Sequence, residues 1–99
     1  MKIPKKIKID NLTYKVFLVN KAVVKGFKSK KRILCGFVDS NKQIIRVATK
    51  YSKDEVAETL LHEILHSCCF RENVNLKEGE TIKLSRRLHQ VLKDNKLIF

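Results

Sequence analysis

Two histidines stand four residues apart in this 99-residue chain, with a glutamate directly after the first: His62-Glu63-Ile64-Leu65-His66. On a helix, residues four apart lie one turn apart on the same face, so both imidazoles can converge on one ion. Zn²⁺ accepts neutral imidazole nitrogens at about 2.0–2.1 Å and favours tetrahedral surroundings. Glu63 is placed to hold a zinc-activated water and to take its proton as general base. A shuffled chain of this composition produces the spacing only about 0.5% of the time. The plain alternative is a pair of surface histidines on an ordinary amphipathic helix.

A catalytic zinc needs a third protein ligand and an open position. The extended motif, with a third His six residues on, is absent: Cys69 and Glu72 stand where its Gly and His would be. A methionine turn is absent too, because Met1 is the only Met. The remaining candidates are Glu80, Glu78 and Glu72. Glu80 precedes Leu84 by four and Leu88 by eight, so it continues the apolar stripe of its helix and is favoured as the third ligand. Glu78 and then Glu72 are the alternatives. Both glutamates near the helix start also have a plainer role, as charges that suit a helix N-terminus. Cys68, Cys69 and Cys35 read as small core thiols rather than ligands. His89 reads as a surface residue. His89 and Tyr51 are secondary candidates for contacting a transition-state oxyanion.

The elements that must hold these residues fall into two halves. Lys5–Asp10 and Thr13–Val19 alternate as strands around an Asp10-Asn11 turn. Ile33–Val38 and Gln43–Thr49 form a second pair around Asp39–Lys42, with Gly36 marking a bulge or a close approach. Residues 20–32 connect the pairs. Ser52-Lys53-Asp54-Glu55 matches a capping box and opens a helix. Val56, Leu60, Leu61, Ile64, Leu65 and Cys68 give that helix its buried face, and it ends near Cys69 or Phe70. A polar connection, 71–77, leads to a second helix over Glu78–Asp94. Leu84, Leu88, Val91 and Leu92 form its stripe, and Asn95 is its C-cap. The expected fold is α+β, one domain over 1–99: a small antiparallel sheet of about four strands, then the helix with the two histidines, then a C-terminal helix.

Hydrophobic residues make up 43% and charged residues 32%, which fits a globular domain rather than a disordered chain. No apolar run approaches the length of a transmembrane helix, and the start of the chain has no signal-peptide pattern. Three cysteines cannot all pair within the chain, so they read as reduced thiols of a cytoplasmic protein. The net charge of +12 is lopsided: residues 1–53 carry 15 Lys/Arg against 2 Asp, a net of +13. Its peak, with Lys25, Lys28, Lys30, Lys31 and Arg32, is either a solvated loop or a grip for phosphates. Only Phe27 interrupts it, so a stacking surface for single strands is not evident there.

On these residues the chain resembles the small zincin-like metallopeptidases encoded by phages and prophages of Gram-positive bacteria. The matching pieces are Ile3-Pro4-Lys5-Lys6-Ile7-Lys8-Ile9, Leu60-Leu61-His62-Glu63-Ile64-Leu65-His66 and Leu88-His89-Gln90-Val91-Leu92-Lys93-Asp94-Asn95. The chain is more distantly similar to the metallopeptidase domain of ImmA/IrrE-type proteins, which clear phage repressors. Acidic residues at the places of Glu78 and Glu80, followed by Leu84 and Leu88, are common in the family. The resemblance implies a zincin-like fold, a glutamate third ligand in a minimal gluzincin-like site, and a protein or peptide substrate from host or phage. This chain departs from the family at His89, where members often have Tyr, and at Ser67-Cys68-Cys69. Its 20–32 segment is also longer and more basic.

The sequence therefore leads to a zinc metallopeptidase of the host cytoplasm, with His62, His66 and Glu80 as ligands, Zn²⁺ as cofactor and Glu63 as general base. Strand 43–49 is expected to be an edge on which an extended substrate adds. The competing expectation is a nucleic-acid-binding module, gripping through Lys25, Lys28, Lys30, Lys31 and Arg32, with a structural or vestigial zinc. No membrane contact is expected.

Overall fold

A turn residue that tolerates a left-handed backbone closes each sheet hairpin. Asp10, at φ 56°, joins β1 (Lys6–Ile9) to β2 (Leu12–Val19). Asp39 ends β5 (Gly36–Asp39), and its Oδ1 accepts from the backbone N–H groups of Asn41 (3.0 Å) and Lys42 (3.1 Å). Gln43, at φ 55°, then leads into β6 (Ile44–Ala48). The computed structural model describes residues 3–19, 23–27, 30–34, 36–49 and 51–97, with only the backbone described for 23–27 and 30–34.

Both hairpins are antiparallel, as expected, but β2 and β6 pair in parallel, so the sheet is mixed rather than antiparallel. The reason lies in the connection. Two strands occupy it, β3 (Val23–Phe27) and β4 (Lys30–Leu34), paired with each other as a separate hairpin. The stretch read as one strand, 33–38, is therefore divided: Ile33 and Leu34 close β4, and Gly36 opens β5. After that excursion β6 lies beside β2, pointing the same way. The strand order is β1-β2-β6-β5. β6 is covered on both sides, so the expected substrate edge at 43–49 is wrong. The edges are β1 and β5.

One sheet face is apolar by period-two alternation. Ile9, Tyr14, Val16, Ile45 and Val47 are buried there under Val56 and Leu60 of α1 (Lys53–Glu72). The other face carries Lys6, Lys8, Lys15, Phe17 and Arg46, all exposed.

Ser52 caps α1, its Oγ accepting from Glu55 N–H at 3.2 Å. The helix runs two residues past the later expected end. It stops where Asn73 turns left-handed at φ 56° and donates its N–H to Cys69 O. The second helix, α2 (Glu78–Asp94), has the expected bounds, and Asn95 caps it by donating from its N–H to Val91 O at 3.2 Å.

The two helices run antiparallel, tied by Lys93 to Asp54 at 2.8 Å and Arg86 to Glu58 at 3.5 Å. The buried face of α2 is not its leucine stripe. Thr81, Ser85 and His89 face inward, while Leu84, Leu88 and Val91 are 49%, 39% and 40% exposed. Thr81 and Ser85 are small and donate their hydroxyls to their own helix, to Lys77 O (3.2 Å) and Ile82 O (3.1 Å). They reach α1 without leaving a buried donor unpaired, which turns the stripe sideways. Among the described residues, no helix is long and apolar enough to cross a membrane.

Candidate metal centre

One turn of α1 aligns the two imidazoles, and the antiparallel register brings the first residue of α2 against them. Glu78 Oε1 lies 2.7 Å from His62 Nε2, and its Oε2 lies 3.3 Å from His66 Nε2. The two Nε2 atoms are 2.9 Å apart. Three ligand atoms on a tetrahedral ion, with bonds of about 2.0–2.1 Å, stand about 3.4 Å from one another. The three side chains are thus gathered nearly as one ion would gather them. Two imidazoles and a carboxylate are also the donor set of several catalytic zinc sites. Burial pulls the pKa of His62 below its ordinary value, against the opposing pull of the Glu78 carboxylate. The neutral imidazole that burial favours is the form that binds metal.

Glu80, favoured from the helical wheel, is not part of this group. Its carboxylate accepts from the N–H of Lys77 at 2.8 Å and closes the first turn of α2. The apolar stripe that Glu80 continues points aside rather than toward α1, so Glu80 lies away from the imidazoles. Glu78 shares the inward arc with Thr81, Ser85 and His89. The sequence signal that could have found it is the charge register, acidic 54 and 58 against basic 93 and 86, which sets residue 78 opposite the histidines.

Glu63 is 6% exposed and turned toward the sheet, under the first residue of β5. A Cβ on Gly36 would sit 2.6 Å from Thr59 Cγ2 and 3.1 Å from Glu63 Oε2. The expected close approach at Gly36 is therefore real, and it is the approach of β5 to the helix of the two histidines. Gly36→Ala should cost about 1–3 kcal/mol in denaturant unfolding, the range for an overpacked core position. Adding Thr59→Ser, which removes the clashing methyl, should recover part of that loss. No loss in the single variant would contradict this packing.

The remaining candidates lie elsewhere. Glu72 ends α1 and joins no ligand group among the described residues. Cys68 packs against the core, and burial pushes its thiol above the ordinary pKa, which suits a core thiol. Cys69 is a free thiol outside the group, and Cys35 lies outside the described residues. His89 is 5% exposed rather than on the surface, with a buried Nε2 that meets no hydrogen-bond partner among the described residues. It lies three turns along α2 from Glu78, and Tyr51 lies before the start of α1, so neither joins the cluster. Of the basic cluster, Lys28 and the side chains of Lys25, Lys30, Lys31 and Arg32 lie outside the described residues.

Fold and site together define an α+β domain whose helix pair gathers two imidazoles and a carboxylate beside a sheet edge. Compared with known protein families, with curated protein sequences and with solved structures, the chain gives no significant match.

Proposed function

We propose that this chain is a zinc-dependent, zincin-like metallopeptidase acting in the cytoplasm, of the kind phages and prophages encode. The observation that carries the reading is the convergence of His62, His66 and Glu78, with the buried carboxylate of Glu63 on the same helix. His62, His66 and Glu78 would hold the ion. A zinc ion so held supplies Lewis acidity, polarising a carbonyl and lowering the pKa of water toward about 7. Glu63 takes the proton of the attacking water and hands it to the leaving amine. β5 is the sheet edge beside this helix, so an extended peptide adds along Gly36–Asp39, with its backbone paired to the strand. This replaces the edge expected at 43–49.

The test is cleavage of a disordered polypeptide such as casein by the zinc-loaded protein. The expected result is new N-termini that a chelator abolishes and zinc restores. Zinc-loaded protein that cleaves neither casein nor a degenerate peptide library would sink the peptidase reading.

A further inference from the structure

We propose that the open face of the sheet, opposite the metal centre, is a binding platform for single-stranded nucleic acid. The helices cover only the inner face, where the core lies. Paired residues of neighbouring strands share a face, so the registers fix what stands on the other side. Phe17 is opposite Arg46, and Arg46 is opposite Phe37, giving a row in which a guanidinium stands between two aromatic rings. The next row sets Lys6 opposite Lys15, and Lys15 opposite Ile44; Lys8 faces Thr13 beyond it.

Three features of this face point to a polyanion with aromatic bases. Phe17 is 44% exposed at the middle of the sheet, where an apolar ring gains nothing from water. Lys6 and Lys15 are like charges placed directly across a strand pair, which is destabilising until an anion lies between them. Among the described residues, none of Lys6, Lys8, Lys15 and Arg46 has a carboxylate within ion-pair distance. Asp39, which the register sets opposite Ile44 at the β5 end of the Lys6 and Lys15 row, has its Oδ1 engaged by the N–H groups of Asn41 and Lys42 in the β5–β6 turn. Cations that track a backbone beside a ring that stacks on a base are the recurring elements of single-strand binding. A duplex keeps its bases in the stack and could use only the cations. An acidic peptide would likewise leave the Phe17 ring unused. The residues of this face are not those of the basic stretch 25–32, and the proposal stands whether or not the metal centre hydrolyses peptides.

The experiment is fluorescence anisotropy of the full chain with labelled twelve-nucleotide dT and U strands, from 50 to 200 mM salt. Binding to either strand is expected. Phe17→Ala should weaken it about 5- to 150-fold, the range for losing one stacked base, and Phe17→Tyr should restore it. Lys6→Gln with Lys15→Gln should lower the slope of log affinity against log salt by about 1.4, at roughly 0.7 per cation. Lys83→Gln with Arg87→Gln removes the same charge from α2 and should leave the slope unchanged. Circular dichroism melting of each variant separates lost binding from lost fold. The proposal is overturned by no binding, by a duplex or polyglutamate competing as well as the single strand, or by indifference to Phe17→Ala. Loss only on neutralising Lys28, Lys30, Lys31 and Arg32 would overturn it as well, by moving the site to the hairpin.

Discussion

Glu78→Ala should abolish tight zinc binding, while Glu80→Ala should leave it intact. Two residues apart on α2, the two glutamates differ entirely in what they touch. One carboxylate spans both imidazole nitrogens, at 2.7 and 3.3 Å, and the other is bound to the backbone of Lys77 at 2.8 Å. Losing an outer-shell partner of a metal ligand typically costs about 10–100-fold in affinity, so removal of a ligand should cost more than that. Glu80→Ala should instead cost about 0.5–2 kcal/mol of fold stability, the range for a lost helix cap. A competitive chelator titration reads the first effect, and thermal unfolding reads the second. Equal zinc affinity in Glu78→Ala and wild type would remove Glu78 from the centre.

Glu63→Gln should keep the zinc and lose the chemistry. Glutamine matches glutamate in shape, so the packing beneath Gly36 survives, but the amide cannot accept a proton. Proton transfer by a positioned side chain contributes about 10²–10⁴ in rate, and that is the expected fall in peptide cleavage. The fall should appear in kcat with little change in KM, because the group acts on the reacting atoms rather than on the bound peptide. A Glu63→Gln protein that cleaves at the wild-type rate would contradict the role given to Glu63 and leave the metal assignment standing. Zinc lost along with activity would instead make Glu63 part of the ligand set.

Much of the frame was legible because local physics writes it. The alternation of Ile7, Ile9, Tyr14 and Val16 marks an inward sheet face whatever the partners are. Ser52 and Asn95 bound their helices through contacts within a few residues. The His62/His66 pair needs only the helical repeat. What stayed hidden is what depends on distant partners. Nothing within residues 20–32 announces that the chain forms a hairpin of its own, so the parallel β2–β6 pairing and the interior place of β6 could not be read. The side chosen on α2 was misread for a similar reason. An apolar stripe shows which face is greasy, but Thr81 and Ser85 pack closer to α1 than leucines can, and the ion pairs at Asp54 and Glu58 fix the rotation. As a direct result, the glutamate that meets the two imidazoles is Glu78, the alternative from the sequence, and Glu80 faces the backbone of Lys77. The open sheet face was invisible as well, because Phe17, Phe37 and Arg46 are far apart in the chain and meet only through the register.

The proposed chemistry depends on an ion held by His62, His66 and Glu78, and X-ray absorption at the zinc edge tests that ion most directly. The stoichiometric zinc-loaded protein should give a first shell of nitrogen and oxygen near about 2.0–2.1 Å, with the outer scattering of two imidazoles and no sulfur. A sulfur shell near about 2.3 Å would place Cys68 or Cys69 on the metal, and failure to take up one zinc per chain would leave the cluster an ordinary hydrogen-bonded triad; either result contradicts the centre described above.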